Sequence, residues 1–128
     1  MIKKILIVDD SPIARKMLKS VLPKGTEFKI EEAVDGEDGI NKYAAFKPDI
    51  TFLDLTMPMK DGFQAIAEIK DADPQAMIVV LTADIQQKSI SRALGLGAFS
   101  LLRKPPTAAS ISDAMTQVEA VLHARREE

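Results

Sequence analysis

Two apolar periods alternate along the chain. Near-continuous apolar runs occur at Ile5–Val8, Ile50–Leu53, Met77–Leu81 and Ala98–Leu102. Short aliphatic runs of about 4–8 residues are the pattern of parallel strands covered on both faces. A further stretch, Phe28–Val34, interrupts Phe28, Ile30, Ala33 and Val34 with Glu31 and Glu32. That much charge predicts a strand at a sheet edge. Helical spacing fills the gaps. Ile13, Met17, Leu18 and Val21 fall on one stripe, and Ile40, Tyr43 and Ala44 on a second. Phe63, Ile66 and Ala67 make a third, and Ile90, Ala93 and Leu94 a fourth. The fifth, Ile111, Ala114, Met115, Val118, Val121 and Leu122, keeps helical periodicity throughout. Ser11 is placed to cap the first helix, with Pro12 at its first turn.

Strand and helix therefore alternate along the whole chain, which predicts an α/β domain with a parallel sheet, helices on both faces and right-handed crossovers. For five strands the doubly wound, flavodoxin-like (βα)5 order 2-1-3-4-5 is the common solution, and it puts the charged second strand at an edge.

Composition narrows the chemistry. A chain of 128 residues, 46% hydrophobic and 28% charged, is sized for one domain, 1–128, that buries a core without disulfides or a structural metal. The absence of cysteine removes zinc–thiolate sites, iron–sulfur clusters and thiol nucleophiles. One histidine, His123, leaves no poly-histidine metal site and argues against a Ser-His-Asp triad. The net charge of −2 offers no basic excess for nucleic acid. The apolar run after Lys3-Lys4 ends at Asp9, short of a signal core, and no stretch approaches the ~20 apolar residues of a membrane span. The expectation is a cytoplasmic protein with neither nucleic acid nor membrane as a partner.

In such a sheet, ligands bind beyond the carboxyl ends of the strands. Asp9 and Asp10 follow the first run, Asp54 the third and Thr82 the fourth, and Lys104 lies just past the fifth. All five side chains are expected on one rim. Clustered carboxylates raise one another's pKa unless a cation intervenes. Hard oxygen donors without imidazole or thiolate suit Mg²⁺ or Mn²⁺. With a lysine and a hydroxyl beside them, the set suits phosphoryl transfer, with a carboxylate as a competent nucleophile toward phosphorus.

At this point the sequence resembles a family. Ile5-Leu6-Ile7-Val8-Asp9-Asp10, Phe52-Leu53-Asp54-Leu55-Thr56-Met57-Pro58-Met59-Lys60-Asp61-Gly62, Leu81-Thr82-Ala83, Gly97-Ala98 and Lys104-Pro105 occur in order. Together they resemble the receiver domain of two-component response regulators, in its chemotaxis-regulator-like form, from about Ile2 to Leu122. The resemblance implies Asp54 as phospho-acceptor and Asp9, Asp10, Asp54 and the Thr56 backbone carbonyl as Mg²⁺ ligands. It also implies Lys104 as the partner of the phosphoryl group, Thr82 as the switch hydroxyl and a cis bond before Pro105. The phosphoryl donor would be a phosphohistidine on a sensor histidine kinase or phosphotransfer protein. A change on the face of the fourth helix, fifth strand and fifth helix would then control a protein partner that the sequence does not name.

Some positions depart from the family pattern. Leu101 stands where Tyr or Phe commonly serves as a rotameric switch, and leucine has no ring to swing. Phe99, two residues earlier, is expected on the same strand face at a different depth. Thr56 and Asp84 occupy the positions that tune phosphate lifetime. The polar fourth helix favours a monomer. With no output domain following, the expected protein is a stand-alone regulator that promotes only its own phosphorylation and dephosphorylation. Two readings stay open beside it: an excised receiver of a multidomain regulator, and a receiver-like module that acts without phosphorylation. A haloacid-dehalogenase-type phosphatase is disfavoured, because no Asp-x-Asp follows a strand.

Overall fold

The computed structural model describes residues 1–55, 61–83 and 86–127. Its strands are β1 (Lys4–Val8), β2 (Lys29–Ala33), β3 (Ile50–Asp54), β4 (Ile78–Thr82) and β5 (Ser100–Arg103). They alternate with helices α1 (Pro12–Ser20), α2 (Gly36–Phe46), α3 (Gly62–Ala72), α4 (Gln87–Gly95) and α5 (Ala108–Arg126). All strand pairs are parallel, and the sheet order is β2-β1-β3-β4-β5, as the sequence predicts. The charged strand β2 is an edge. Its Lys29 and Ile30 are exposed, whereas every residue of β3 and β4 is buried.

The sheet separates two apolar clusters. Leu6, Val8, Leu53 and Val80 pack with Tyr43, Ile66, Ile69 and Ala93 beneath α2, α3 and α4. On the other face, Ile5, Ile7, Phe52 and Val79 pack with Leu18, Ile111, Met115 and Val118 beneath α1 and α5. Side-chain caps start most of the helices. Ser11, Asp35, Asp61 and Thr107 each accept from a backbone N–H of the first turn, removing unpaired donors there.

Four local readings of the sequence are corrected. Asp54 and Thr82 are the last residues of β3 and β4 rather than the residues after them. Ile13 and Met17 do not share the buried stripe of α1; they are 75% and 44% exposed, while Leu18 is buried. The flank of α1 turned toward β2 carries Arg15 and Lys19, which both pair with Glu32. In α2 the buried positions are Gly36, Gly39 and Tyr43, with Ala44 exposed, because Gly39 lies directly against the Val8 side chain. Phe99 and Leu101 join opposite clusters. Phe99 precedes β5, so the alternation of the strand does not govern it.

Candidate functional site

Parallel register brings the strand ends to one level: Val8 pairs with Leu53, Asp54 with Leu81, and Thr82 with Arg103. Asp9, one residue past β1, is 5% exposed and held through each of its polar groups. Its N–H donates to the Ala33 carbonyl (3.0 Å), and its own carbonyl accepts from Arg15 Nη1 (2.7 Å). Its Oδ1 accepts from the Ser11 N–H (3.0 Å), and its Oδ2 from Lys104 Nζ (2.9 Å). Lys104 also lies 3.5 Å from Asp54 Oδ1, and its backbone N–H donates to the Thr82 carbonyl (2.9 Å). The end of β4 thus carries the lysine. The Lys104–Pro105 peptide is cis.

Asp9, Asp10 and Asp54 each place a carboxylate oxygen within 4.8 Å of the others. Asp54 and Thr82 are buried and Asp10 is exposed. Burial alone would lower the Lys104 pKa, but the hydrogen bond to Asp9 and the charges of Asp54 and Asp9 outweigh it and raise it. The ammonium is therefore fully charged at neutral pH. Among the described residues, three carboxylates face the Lys104 ammonium and leave an excess of negative charge, with carboxylate oxygens as the converging donors. That donor chemistry fits a hard divalent cation such as Mg²⁺.

The structure brings Asp9, Asp10, Asp54 and Lys104 together and sets buried Thr82 at the neighbouring strand end. Thr56 and Asp84, named for a ligand carbonyl and for lifetime tuning, lie outside the described residues. Leu101 is half-buried against the cluster beneath α2, α3 and α4. His123 is exposed, beside Glu127 on the last turn of α5.

Sequence reasoning missed two features. One is Arg15, which reads in the sequence as a charged residue on a helix face. The other is an apolar groove of about 410 Å³ between α1 and the segment leading into α5. Ile13, Ala14, Met17, Pro105 and Pro106 line it, and Asp9, Asp54 and Lys104 stand at its inner end. The exposed Ile13 and Met17 were the available signal, hidden by their helical spacing. Among the described residues, no helix is long and apolar enough to cross a membrane.

Comparison with known proteins agrees with the fold. The family described as the response regulator receiver domain matches residues 5–116. The chemotaxis protein CheY of Thermotoga maritima is 38% identical over 116 residues, covering 91% of this chain and 97% of that protein. CheY of Bacillus subtilis is 37% identical over 117 residues, covering 91% of this chain and 98% of its own length. Among solved structures, the CheX–CheY–BeF3–Mg²⁺ complex from Borrelia burgdorferi superposes with a TM-score of 0.84 at 30% identity, over 91% of this chain and 88% of that one.

Proposed function

This chain belongs to the response regulator receiver family, and we propose that it is a phosphorylation-controlled signalling switch with Asp54 as its phospho-acceptor. The observation that carries the reading is the convergence of Asp9, Asp10 and Lys104 on the buried Asp54 at the end of a central strand. Asp9, Asp10, Asp54 and the Thr56 carbonyl would hold Mg²⁺, or Mn²⁺ in its place. When bound, the cation supplies positive charge to the oxygens of the transferring phosphoryl group.

The chain's own residues do the rest. A carboxylate oxygen of Asp54 attacks the phosphorus of a phosphohistidine on a sensor kinase or phosphotransfer protein. An O–P bond forms as the N–P bond breaks, and the imidazole nitrogen keeps the electron pair. Lys104, already 3.5 Å from Asp54, holds a phosphoryl oxygen by charge, and Thr82 donates its hydroxyl to another. Water later cleaves the acyl phosphate, restoring the carboxylate and releasing inorganic phosphate, with Thr56 and Asp84 setting the rate.

The acyl phosphate brings about one further negative charge and new acceptor oxygens. Drawing Thr82 and Lys104 toward it shifts the population of the α4–β5–α5 face toward a form that a protein partner prefers. Leu101 packs without a ring to flip, so the shift runs through the segment after Thr82 and through α4. The groove lined by exposed Ile13 and Met17 and by half-buried Pro106, with Asp54 also in its lining, is where the phosphodonor docks. The CheX–CheY complex of the Borrelia relative supports another protein as a binding partner. The receiver works as a monomeric cytoplasmic regulator and turns over no external substrate.

Intact-protein mass after incubation with acetyl phosphate, with and without Mg²⁺ and beside Asp54→Asn, tests the reading. One phosphoryl adduct that requires both Mg²⁺ and Asp54 is the expected result. No adduct at any Mg²⁺ concentration, under conditions that preserve acyl phosphates, favours a module that acts without phosphorylation.

A further inference from the structure

We propose that Arg15 is a positioning residue for the acidic pair, and that its clamp with Glu32 sets the divalent-cation affinity of the site. The proposal rests on the Mg²⁺ site put forward above. Arg15 Nη1 donates to the Asp9 carbonyl (2.7 Å) while its Nε donates to Glu32 Oε1 (2.9 Å). Lys19 Nζ holds the other Glu32 oxygen, also at 2.9 Å. The Arg15 side chain is only 14% exposed, and the network ties α1, β2 and the end of β1 together.

The Asp9 carbonyl belongs to the planar peptide that joins Asp9 to Asp10. Re-aiming one carboxylate relative to the other requires rotation on either side of that plane. The Asp9 N–H is already bonded to Ala33, so pinning the carbonyl removes the remaining freedom at Asp9. Asp10 is exposed, and its aim depends on the backbone that carries it. A guanidinium suits this task, because its rigid fork donates in two directions at once, whereas an ammonium is a point charge on a flexible stem.

Charge and geometry oppose each other here, which makes the role separable. Removing a cation beside an acidic site tightens Mg²⁺ binding if only charge matters. Releasing the peptide plane weakens binding if positioning matters.

The test is the Mg²⁺ dissociation constant, by calorimetry at fixed ionic strength, for the wild type, Arg15→Met, Arg15→Lys and Lys19→Met, with circular dichroism to confirm folding. Arg15→Met is expected to weaken Mg²⁺ on the order of 10-fold or more, the scale seen when groups that orient metal ligands are lost. Arg15→Lys keeps the charge without recovering the affinity, and it carries the same test should Arg15→Met fail to fold. Lys19→Met removes an ion pair to the same Glu32 without touching Asp9, and it binds as the wild type does. Arg15→Met binding as tightly as the wild type or more tightly overturns the proposal, as does an equal loss in Lys19→Met. A wild type that binds no Mg²⁺ overturns the reading of the site itself.

Discussion

A Cβ built on Gly62 falls 2.5 Å from the Asp54 carbonyl oxygen and against Leu55 Cα, backbone atoms that cannot swing aside. The Gly62 N–H donates to the Leu55 carbonyl at 2.8 Å, so helix and strand meet directly behind Asp54. Gly62→Ala is expected to destabilise by at least about 1–3 kcal/mol and to lower adduct formation. Gly95→Ala, facing open space on α4, should stabilise by up to about 1 kcal/mol. Urea unfolding of the two variants checks the contrast. Tyr43, the single tyrosine in a chain without tryptophan, offers a second residue-level readout. Burial, then its 2.7 Å hydrogen bond to Asp73, push its pKa up beyond the usual phenol range. The folded state therefore favours the neutral phenol. That contribution is present below about pH 10, the unfolded value, and is lost as pH rises above it. Tyrosinate absorbance should rise only together with loss of helical circular dichroism. A separate step near pH 10 in the folded protein would contradict this.

At the scale of elements, α1 separates sequence from structure most clearly. Its spacing groups Ile13, Met17, Leu18 and Val21, yet only Leu18 is buried. Leu18→Ala should cost about 2–5 kcal/mol, and Ile13→Ala no more than about 0.5 kcal/mol, read as unfolding midpoints in urea. Periodicity reports that a helix has an apolar side, but not its rotation when two flanks are apolar. Here α1 turns Arg15 and Lys19 toward Glu32 of β2, and those contacts join residues distant in sequence. The fifth helix was fully legible, because Ile111, Ala114, Met115 and Val118 have no apolar rivals on the opposite flank and all four are buried.

For the molecule as a whole, the strand order and the edge position of β2 could be read from the alternation of periods and from Glu31 and Glu32. Convergence of Asp9, Asp10, Asp54 and Lys104 could be read because parallel strands deliver their carboxyl ends to one rim. The Arg15 clamp and the groove could not, since each depends on how a helix is turned against the sheet. The sheet between the two clusters carries its own expectation. Ile66→Val on one side and Ile111→Val on the other share no packing partners, and their destabilisations should add within about 0.5 kcal/mol. A larger coupling in a double-mutant cycle would show that strain crosses the sheet.

The ion pair between Asp9 and Lys104 spans 95 positions of chain. Synthesis delivers Asp9, Asp10 and Asp54 before Lys104. A chain cut before β5 therefore lacks the Lys104 ammonium that lies against Asp9 and Asp54. Assembly of the pocket thus waits for β5, the strand that also covers the edge of β4.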